Sequence, residues 1–545
     1  MFARIKKSGK YQYLQIVENR KEKGRVKQRV IATVGRMDQL HEKGRIETLI
    51  RSLSRFSEKA LLILSGKSDV SAQALTIGPA LVFDRLWKES GIKACIHELL
   101  VGRKFEFDVE RAIFLTVLHR LMVSGSDRFC EKWQRDHLIP GTENLALHHL
   151  YRAMTFLGEI LPGEHNTGSF GPRRNKDLVE ELLFYKNRDL FSNLDLVFFD
   201  TTSIYFQGQG GVHFGHRGFS KDHRPDLFQM IVGAVLDDSG RPICCAMWPG
   251  NTTDVTTLLP ELERLQSRFS VGQFCVVADR GMISANTLAK LDADETPYIL
   301  GTRMRKVKRI NTEILTRAGR YSEVYPESSD RRKPAPLKVK EVIHEGVRYI
   351  VCLNERQARK DATDREAIVE SLKRKLKQGA TSLVGNRGYR RYLKVAKGST
   401  RIDPAKVKAD ARFDGKWVLI TNTKLPADKV ALKYKELWRV ERVFRDMKSL
   451  LETRPVYHQK DENIAGHVFC SFLALVLRKE LDQRLAQSKH RFEWSDIKQD
   501  LKALKQVEIE ENGTRFAIRS ECKGVCGKIF QSVRIALPPT IRELG

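Results

Sequence analysis

The sequence predicts a multidomain α+β protein, in which a largely helical N-terminal region precedes an α/β core that is interrupted by a β-rich insertion. Three changes of pattern predict this class. From about Asp38 to Gly158, apolar residues recur at helical spacing. Between Leu194 and Met247, short apolar runs replace that spacing, as in strands buried on both faces. Residues 302–412 are strongly basic, with short β-like runs on either side of a basic helix.

The charge of the chain is unusual for a globular protein. Its 96 Lys and Arg against 67 Asp and Glu give +29, with a pI near 9.7. A polyanionic partner is the simplest explanation, because each neutralised phosphate releases a counterion and strengthens binding. A merely soluble basic surface and binding to an anionic membrane are the alternatives. No signal peptide and no apolar run of about 18 residues is present, so we expect a cytoplasmic protein and no membrane partner.

Residues 1–36 are predicted to form a small basic β-hairpin arm with a turn near Glu22–Gly24, because polar and apolar residues alternate there. Eleven Lys and Arg against two Glu suit a phosphate-gripping arm, although a solvated edge strand also favours lysine. Residues 37–185 are predicted to be helical. Their longest apolar helix begins after Asp108, which is placed to cap it.

Residues 190–301 are predicted to be the first part of the α/β core. LDLVFFDTTSIYF contains a short apolar run that predicts a buried strand with Asp200 at its C-terminal end, and FCVVADRGMIS is a second apolar strand that ends in Asp279. Between them we expect two strands joined by the turn Asp237–Pro242 and then a helix, Thr253–Phe269, with Asp254 near its start.

The remaining segments are a basic insertion, the second part of the core and a C-terminal region. The insertion, 302–422, is predicted to have its own partly β fold and a helix near Arg365–Lys377. Residues 423–490 return to the core with a helix at Ala431–Arg454. Residues 491–545 are a candidate dimerisation region, with a helix and a hairpin built from RFAIRS and KIFQSVRI.

The helix at Ala431–Arg454 gathers polar chemistry on one side. At about 100° per residue, its carboxylate, two cations and two aromatics fall on a stripe about 80° wide. The stripe consists of Tyr434, Trp438, Glu441, Arg445 and Lys448. An exposed helix carrying ordinary i,i+4 pairs would look similar.

Three carboxylates, Asp200, Asp279 and Glu441, are therefore candidates for one catalytic site. Brought together they would repel one another unless hard divalent cations neutralised them. Two Mg²⁺ ions, about 3.5–4 Å apart, would make a site for in-line displacement at phosphorus, and Mn²⁺ should substitute. Each aspartate alone is more often a cap or turn residue.

These residues resemble the DDE transposases of bacterial insertion sequences, in the branch with a Y-x2-R-x3-E-x6-K helix. The matches are D-T-T at Asp200–Thr202, D-R-G at Asp279–Gly281, and Tyr434, Glu441 and Lys448 at the signature spacing. They cover roughly residues 190–480, and the N-terminal arm is similar to that of a long-chain subgroup. The resemblance implies an RNase H-like core with a β-rich insertion before the glutamate.

The resemblance also implies cut-and-paste transposition: binding of terminal inverted repeats, metal-dependent strand cleavage and strand transfer. It implies double-stranded DNA as partner and a homodimer in the synaptic complex. The helical region 37–185 of so basic a protein is a candidate DNA-binding region, and QGQGG (207–211) lacks the spacing of a nucleotide-binding loop, so no nucleotide cofactor is expected. The residues expected to face DNA are Tyr434, Trp438, Arg445, Lys448, Arg439, Thr201, Thr202 and Arg280.

One departure concerns the signature arginine, whose position holds Leu437. Arg439 or Arg445 could supply the missing cation, and only Arg445 lies on the stripe, since Arg439 points about 140° from Tyr434. Two other functions stay open: a catalytically silent DNA-binding descendant and a metal-dependent nuclease without strand transfer.

Overall fold

A computed structural model describes residues 2–22, 25–42, 46, 49, 71–163, 171–187, 195–269, 273–325, 336–378, 391–396, 399–511 and 514–544. The chain divides into two compact units. The first comprises residues 1–74, 506–519 and 539–545, and the second comprises 75–505 and 520–538. In the part of the chain described above, no helix is both long enough and apolar enough to cross a membrane.

The first unit begins with a three-stranded antiparallel sheet, formed by β1 (Phe2–Ser8), β2 (Tyr11–Glu22) and β3 (Arg25–Arg36) and followed by α1 (Met37–Glu42). The predicted hairpin corresponds to β2 and β3, and the structure adds β1 along the other edge of β2. Gly9, at φ +60°, lies in the tight turn that connects β1 to β2. The strand β4 (Ser71–Thr76) belongs to a second sheet described below.

The second unit contains the predicted helical region from residue 75 onward. Earlier in that region, Ser71–Thr76 is the strand β4 and not a helix, and residues 43–45, 47–48 and 50–70 lie outside the described residues. The helices that follow are α2 (Gly78–Glu89), α3 (Ile92–Leu100), α4 (Val109–Met122), α5 (Asp127–Trp133), α6 (Leu147–Gly158) and α7 (Asn175–Asn187). Every residue of α4 is buried, which explains its long apolar run. The Asp108 carboxylate accepts the Arg111 N–H at 3.0 Å, so the predicted cap is confirmed.

A nine-stranded mixed sheet forms the centre of the second unit. Its strands are β5 (Leu196–Tyr205), β6 (Gln229–Asp237), β7 (Pro242–Pro249), β8 (Cys275–Ala278), β9 (Tyr298–Gly301), β10 (Ser322–Val324), β11 (Leu337–His344), β12 (Val347–Leu353) and, beyond the separate hairpin β13 (Leu393–Ala396) and β14 (Ser399–Ile402), β15 (Lys416–Thr421). Their order is β10-β11-β12-β15-β9-β8-β5-β6-β7. β5 pairs with β8 and β8 with β9 in parallel, whereas all other neighbours are antiparallel.

The strands β5, β6, β7, β8 and β9 are buried on both faces of the sheet. Along β5, Phe198 packs into one apolar core and Phe199 into the other. The helices α8 (Leu258–Phe269) and α9 (Ala285–Ala293) contribute to the core around Phe199. Burial on both sides explains why these strands appear in the sequence as unbroken apolar runs.

The insertion differs from the prediction, because most of its strands do not make a fold of their own. β15 pairs with β9, Leu419 facing Gly301, so β10, β11, β12 and β15 extend the core sheet. This pairing provides hydrogen-bond partners for the outer edge of β9, whose backbone N–H and C=O groups would otherwise be unpaired. The insertion also carries a longer helix than predicted, α10 (Glu355–Gln378), and a short one, α11 (Pro404–Ala411).

The helix predicted at Ala431–Arg454 is broken. The structure has α12 (Ala427–Lys435), α13 (Trp438–Arg445) and a π-helical turn at Asp446–Leu450. Around Leu437 the backbone bonds span three residues, from the Leu437 N–H to the Tyr434 carbonyl and from the Val440 N–H to the Leu437 carbonyl, each 3.0 Å. Such a turn advances about 120° per residue, so the single stripe counted from Tyr434 does not continue past Leu437.

The C-terminal part contains α14 (Asp461–Gln487), α15 (Trp494–Ala503), β16 (Lys505–Glu511), β17 (Thr514–Arg519), α16 (Cys526–Val533) and β18 (Ile541–Leu544). The predicted hairpin of RFAIRS with KIFQSVRI is wrong: β17 pairs with β16, and most of KIFQSVRI is α16. β4, β16, β17 and β18 form a four-stranded sheet in the order β18-β17-β16-β4.

Candidate active site

Two neighbouring parallel strands bring the first two predicted carboxylates together. Phe199 of β5 pairs with Ala278 of β8, so Asp200 and Asp279 are the next residues along the two chains. Asp279 follows the end of β8 as predicted, whereas Asp200 lies in the middle of β5 and not at its end, because β5 continues through Thr201–Tyr205 to pair with β6. Asp279 directly precedes a 3₁₀ turn, Arg280–Met282. The sheet topology thus places side by side two carboxylates that the chain separates by 79 residues.

The Asp200 carboxyl lies in a strongly perturbed environment. Burial raises the pKa of Asp200 to about 7, and the negative charges of Asp279 and Asp254 act in the same direction. The ammonium of Lys221 and the Thr201 N–H, 2.7 Å from Asp200 Oδ1, oppose them. Partly buried carboxylates with too little compensating charge are a donor set suited to a hard divalent cation. Asp200 and Asp279 therefore fit the predicted Mg²⁺ site.

A third aspartate, Asp254, also belongs to this site. The Thr201 hydroxyl donates to Asp254 Oδ1 at 2.6 Å. A Cβ placed on Gly281 would lie 3.4 Å from Asp254 Oδ2, so this carboxylate also borders the turn that follows Asp279. The sequence pattern places Asp254 only near the start of a helix and gives no sign of this contact.

Lys221 supplies a positive charge at the same place. Its ammonium lies 3.0 Å from Asp254 Oδ2 and donates to the Thr201 carbonyl at 2.7 Å and to the Thr201 hydroxyl at 2.9 Å. Thr201 and Thr202, predicted to face DNA, are both buried. The Thr201 hydroxyl is thus engaged inside the protein, between a carboxylate and an ammonium.

Tyr434 contacts the second aspartate. Its hydroxyl donates to Asp279 Oδ1 at 3.0 Å. Burial raises the pKa of Tyr434, and Asp279 raises it further, so the phenol stays neutral and remains a donor. The ring lies against β9, where a Cβ on Gly301 would be 2.2 Å from the phenol oxygen. Glycine at this position is therefore what lets Tyr434 reach Asp279.

The turn after Asp279 is held from outside by Arg303, which sequence analysis also missed. Its guanidinium donates to the Arg280 carbonyl at 3.0 Å and to the Gly281 carbonyl at 2.9 Å. The Arg280 side chain itself is exposed. It remains available to a ligand at the mouth of the site.

Glu441 does not form a close three-carboxylate group with the two aspartates. It is exposed on α13, a helix that packs against β5 and β6 and buries Val440 and Phe444. The three predicted carboxylates, all of them described, do not lie within 4.8 Å of one another as a group. The structure places Glu441 on a helix beside β5, the strand of Asp200, with its side chain at the surface.

The other predicted DNA-facing residues divide into two kinds. Trp438 is 50% exposed and Arg445 is exposed, so both can meet a ligand. Arg439 instead donates to the Asp238 carbonyl in the turn between β6 and β7. Lys448 lies 2.8 Å from Asp222 and is only 12% exposed.

A second group of potential ligands, Asp127, His458 and His467, lies elsewhere in this unit. An Arg120 nitrogen donates to His467 Nδ1 at 2.9 Å, so His467 Nε2 donates to the Thr453 carbonyl at 3.1 Å. Burial lowers the pKa of His467, which keeps it neutral. Because both its ring nitrogens are used and Arg120 already supplies a positive charge, this group fits a structural network better than a metal site.

Comparison with known proteins decides the family. Residues 192–477, more than half of the chain, match the family model of the transposase DDE domain. The chain belongs to the DDE transposases. Residues 3–67 of this transposase match the N-terminal domain of IS1634 family transposases, which identifies it as an insertion-sequence transposase. No curated protein matches its sequence.

The solved structures include one similar to this transposase, a cryo-EM structure of the piggyBac transposase synaptic complex with hairpin DNA. The two chains are 10% identical, with a TM-score of 0.40 over 78% of this chain and 79% of the other.

Proposed function

We propose that this transposase cuts and joins DNA by divalent-metal-dependent phosphoryl transfer, with Asp200, Asp279 and Glu441 as metal ligands. The two aspartates, one on β5 and one directly after its parallel neighbour β8, are the observation that carries the proposal. The strand order β7-β6-β5-β8-β9, with three antiparallel strands followed by two parallel ones, is that expected of an RNase H-like core and supports it.

The protein side chains position the reacting groups. Bound Mg²⁺ would activate the attacking oxygen and stabilise the leaving oxygen at phosphorus. Tyr434 fixes the Asp279 carboxylate through its hydrogen bond. Lys221 and Asp254 fix the strand that carries Asp200 through Thr201. Glu441 joins the two aspartates only when positive charge offsets the repulsion among three carboxylates.

The DNA-binding surface that we propose includes Trp438, Arg445 and Arg280. All three side chains are exposed, and they lie on or next to the segments that carry the carboxylates. Trp438 is suited to stack on an unpaired base, while the arginines are suited to phosphates. The charge of +29 supports double-stranded DNA as the partner. We further propose a homodimer on paired element ends, acting in the bacterial cytoplasm.

Strand cleavage on the native element end tests this function. We expect nicks at the element ends and joined target products with Mg²⁺ or Mn²⁺, and neither with EDTA. Cleavage that persists in EDTA would contradict metal dependence. Cleavage without joining under all metals would identify a nuclease, and end binding without cleavage would identify a catalytically silent descendant.

A further inference from the structure

The polar loop between β5 and β6 carries two consecutive charged residues, Lys221 and Asp222, which contact different segments of the site. We call them the 221–222 pair. Lys221 binds the strand side, where its ammonium reaches Thr201 and Asp254 within 3.0 Å. Asp222 binds the segment after α13: its Oδ1 lies 2.8 Å from Lys448 Nζ and 2.5 Å from an Arg454 nitrogen. One short segment therefore links the Asp200 strand to the end of the Glu441 helix.

The Asp222 contacts are interior ones. The side chains of Asp222, Lys448 and Arg454 are 7%, 12% and 25% exposed. Exposed ion pairs contribute little, whereas removing one partner of a buried pair leaves an uncompensated charge. Lys448 is thus held by the protein in a place where little of its surface can reach a phosphate.

The chain beyond the π-helical turn is also fixed to β5 itself. Arg454 lies over the Tyr205 ring, 5.4 Å from its centroid, and the Val456 N–H donates to the Tyr205 carbonyl at 3.1 Å. Asp222, in the part of the β5–β6 loop that is nearer to β6, binds Arg454 of this same stretch. These contacts converge on 446–456, which follows the helix of Glu441 directly.

We propose that Lys221 and Asp222 are positioning residues that hold the Glu441 helix in register with the Asp200 strand, and that Lys448 acts through Asp222 rather than on a DNA phosphate. The proposal rests on the function proposed above, because it concerns how the third carboxylate reaches that site. Lys448, the lysine at the signature spacing, thus has Asp222 of the same chain as its partner.

The salt dependence of DNA binding separates the two roles of Lys448. A side chain that neutralises one phosphate contributes about one unit to the slope of log K against log salt. We expect Lys448→Met to leave the slope for an element-end duplex unchanged. Arg445→Met, exposed near the same helix end, should lower it by about 1. A loss of about 1 in Lys448→Met would overturn the proposal.

Hydrogen exchange tests the link itself. Asp222→Asn keeps the side-chain shape and removes the charge, so we expect at least tenfold faster exchange at the amides of 446–456, with α4 unchanged. Asp226→Asn is the matched control, because Asp226 pairs with Arg224 in the same loop but at the surface. Unchanged exchange in Asp222→Asn would overturn the proposal. Should that variant not fold, Asp222→Asn combined with Lys448→Met leaves only the Arg454 charge without its partner and must show the same acceleration.

Turnover supplies a further readout. We expect Asp222→Asn to reduce the cleavage rate at saturating DNA at least tenfold while the Kd for the element end stays within twofold. A raised Kd with an unchanged rate would contradict a positioning role. The hydrogen-exchange and salt measurements do not require cleavage. A wild-type protein that fails to join strands would therefore contradict the proposed function, while the role of the 221–222 pair would still be tested by these two measurements.

Discussion

Substituting Gly301 with alanine should disturb the contact between Tyr434 and Asp279. The added Cβ would lie 2.2 Å from the phenol oxygen and 2.9 Å from Cζ, distances that cannot persist. Overpacking of this kind costs about 1–3 kcal/mol, and losing a hydrogen bond to a carboxylate costs about 1.5–3 kcal/mol. The smaller entropy of the unfolded alanine chain returns only about 0.4–1 kcal/mol. We therefore expect a net loss of stability.

A double-mutant cycle measures the coupling. Urea unfolding would be compared for wild type, Gly301→Ala, Tyr434→Phe and the double variant. Phenylalanine removes the atom at 2.2 Å and leaves the ring carbon at 2.9 Å, so Gly301→Ala should cost less in that background. We expect a coupling free energy above about 0.5 kcal/mol, since the two residues are in contact.

The control is Gly527→Ala in α16, whose Cβ would meet only Cys522 Sγ at 3.7 Å. It should be neutral or stabilising by up to about 1 kcal/mol, because alanine favours helices over glycine. Additive effects at Gly301 and Tyr434, or a Gly301→Ala variant as stable as the control, would refute the packing derived for this part of the site.

Arg439→Ala should leave the salt slope of DNA binding unchanged, since Arg439 binds a carbonyl of the β6–β7 turn; a slope lowered by about 1 would show a phosphate contact instead. Arg303→Ala should accelerate hydrogen exchange at residues 280–282, because both its donors hold that turn; equal exchange would argue against this clamp. In a DNA-free Asp200→Asn, Asp279→Asn double variant, which lacks the proposed Mg²⁺ ligands, EDTA should leave the free energy of unfolding unchanged, since Arg120 supplies the positive charge beside His467; a lower free energy of unfolding in EDTA would show a metal bound at Asp127, His458 and His467 instead.

The strands of the core could be predicted because a strand that is buried on both faces appears in the sequence as a continuous run of apolar residues. β5 and β8 appear in the sequence as runs that end at Asp200 and Asp279, and the structure places them as parallel neighbours. The Asp108 cap was predictable for a similar local reason, since a capping side chain bonds an amide three residues away.

Contacts between residues that are far apart in the chain produce no pattern in the sequence. Lys221 meets Asp254, and Asp222 meets Lys448 226 residues away, through side chains whose spacing follows no helical or strand period. The only sequence signal was a polar, basic run placed between two apolar strands. The break at Leu437 was hidden because apolar spacing on both sides of it remains helical, while the backbone tightens for one turn.

Iron-directed cleavage of the protein backbone tests most directly whether Asp200, Asp279 and Glu441 share one metal site. Fe²⁺ accepts carboxylate ligands, and with ascorbate and peroxide it cuts the chain near the place where it is bound. In the complex with element-end DNA, we expect cuts near residues 200, 279 and 441, all suppressed by excess Mg²⁺. Cuts near 200 and 279 without 441, or cuts confined to the group of Asp127, His458 and His467, would contradict the assignment.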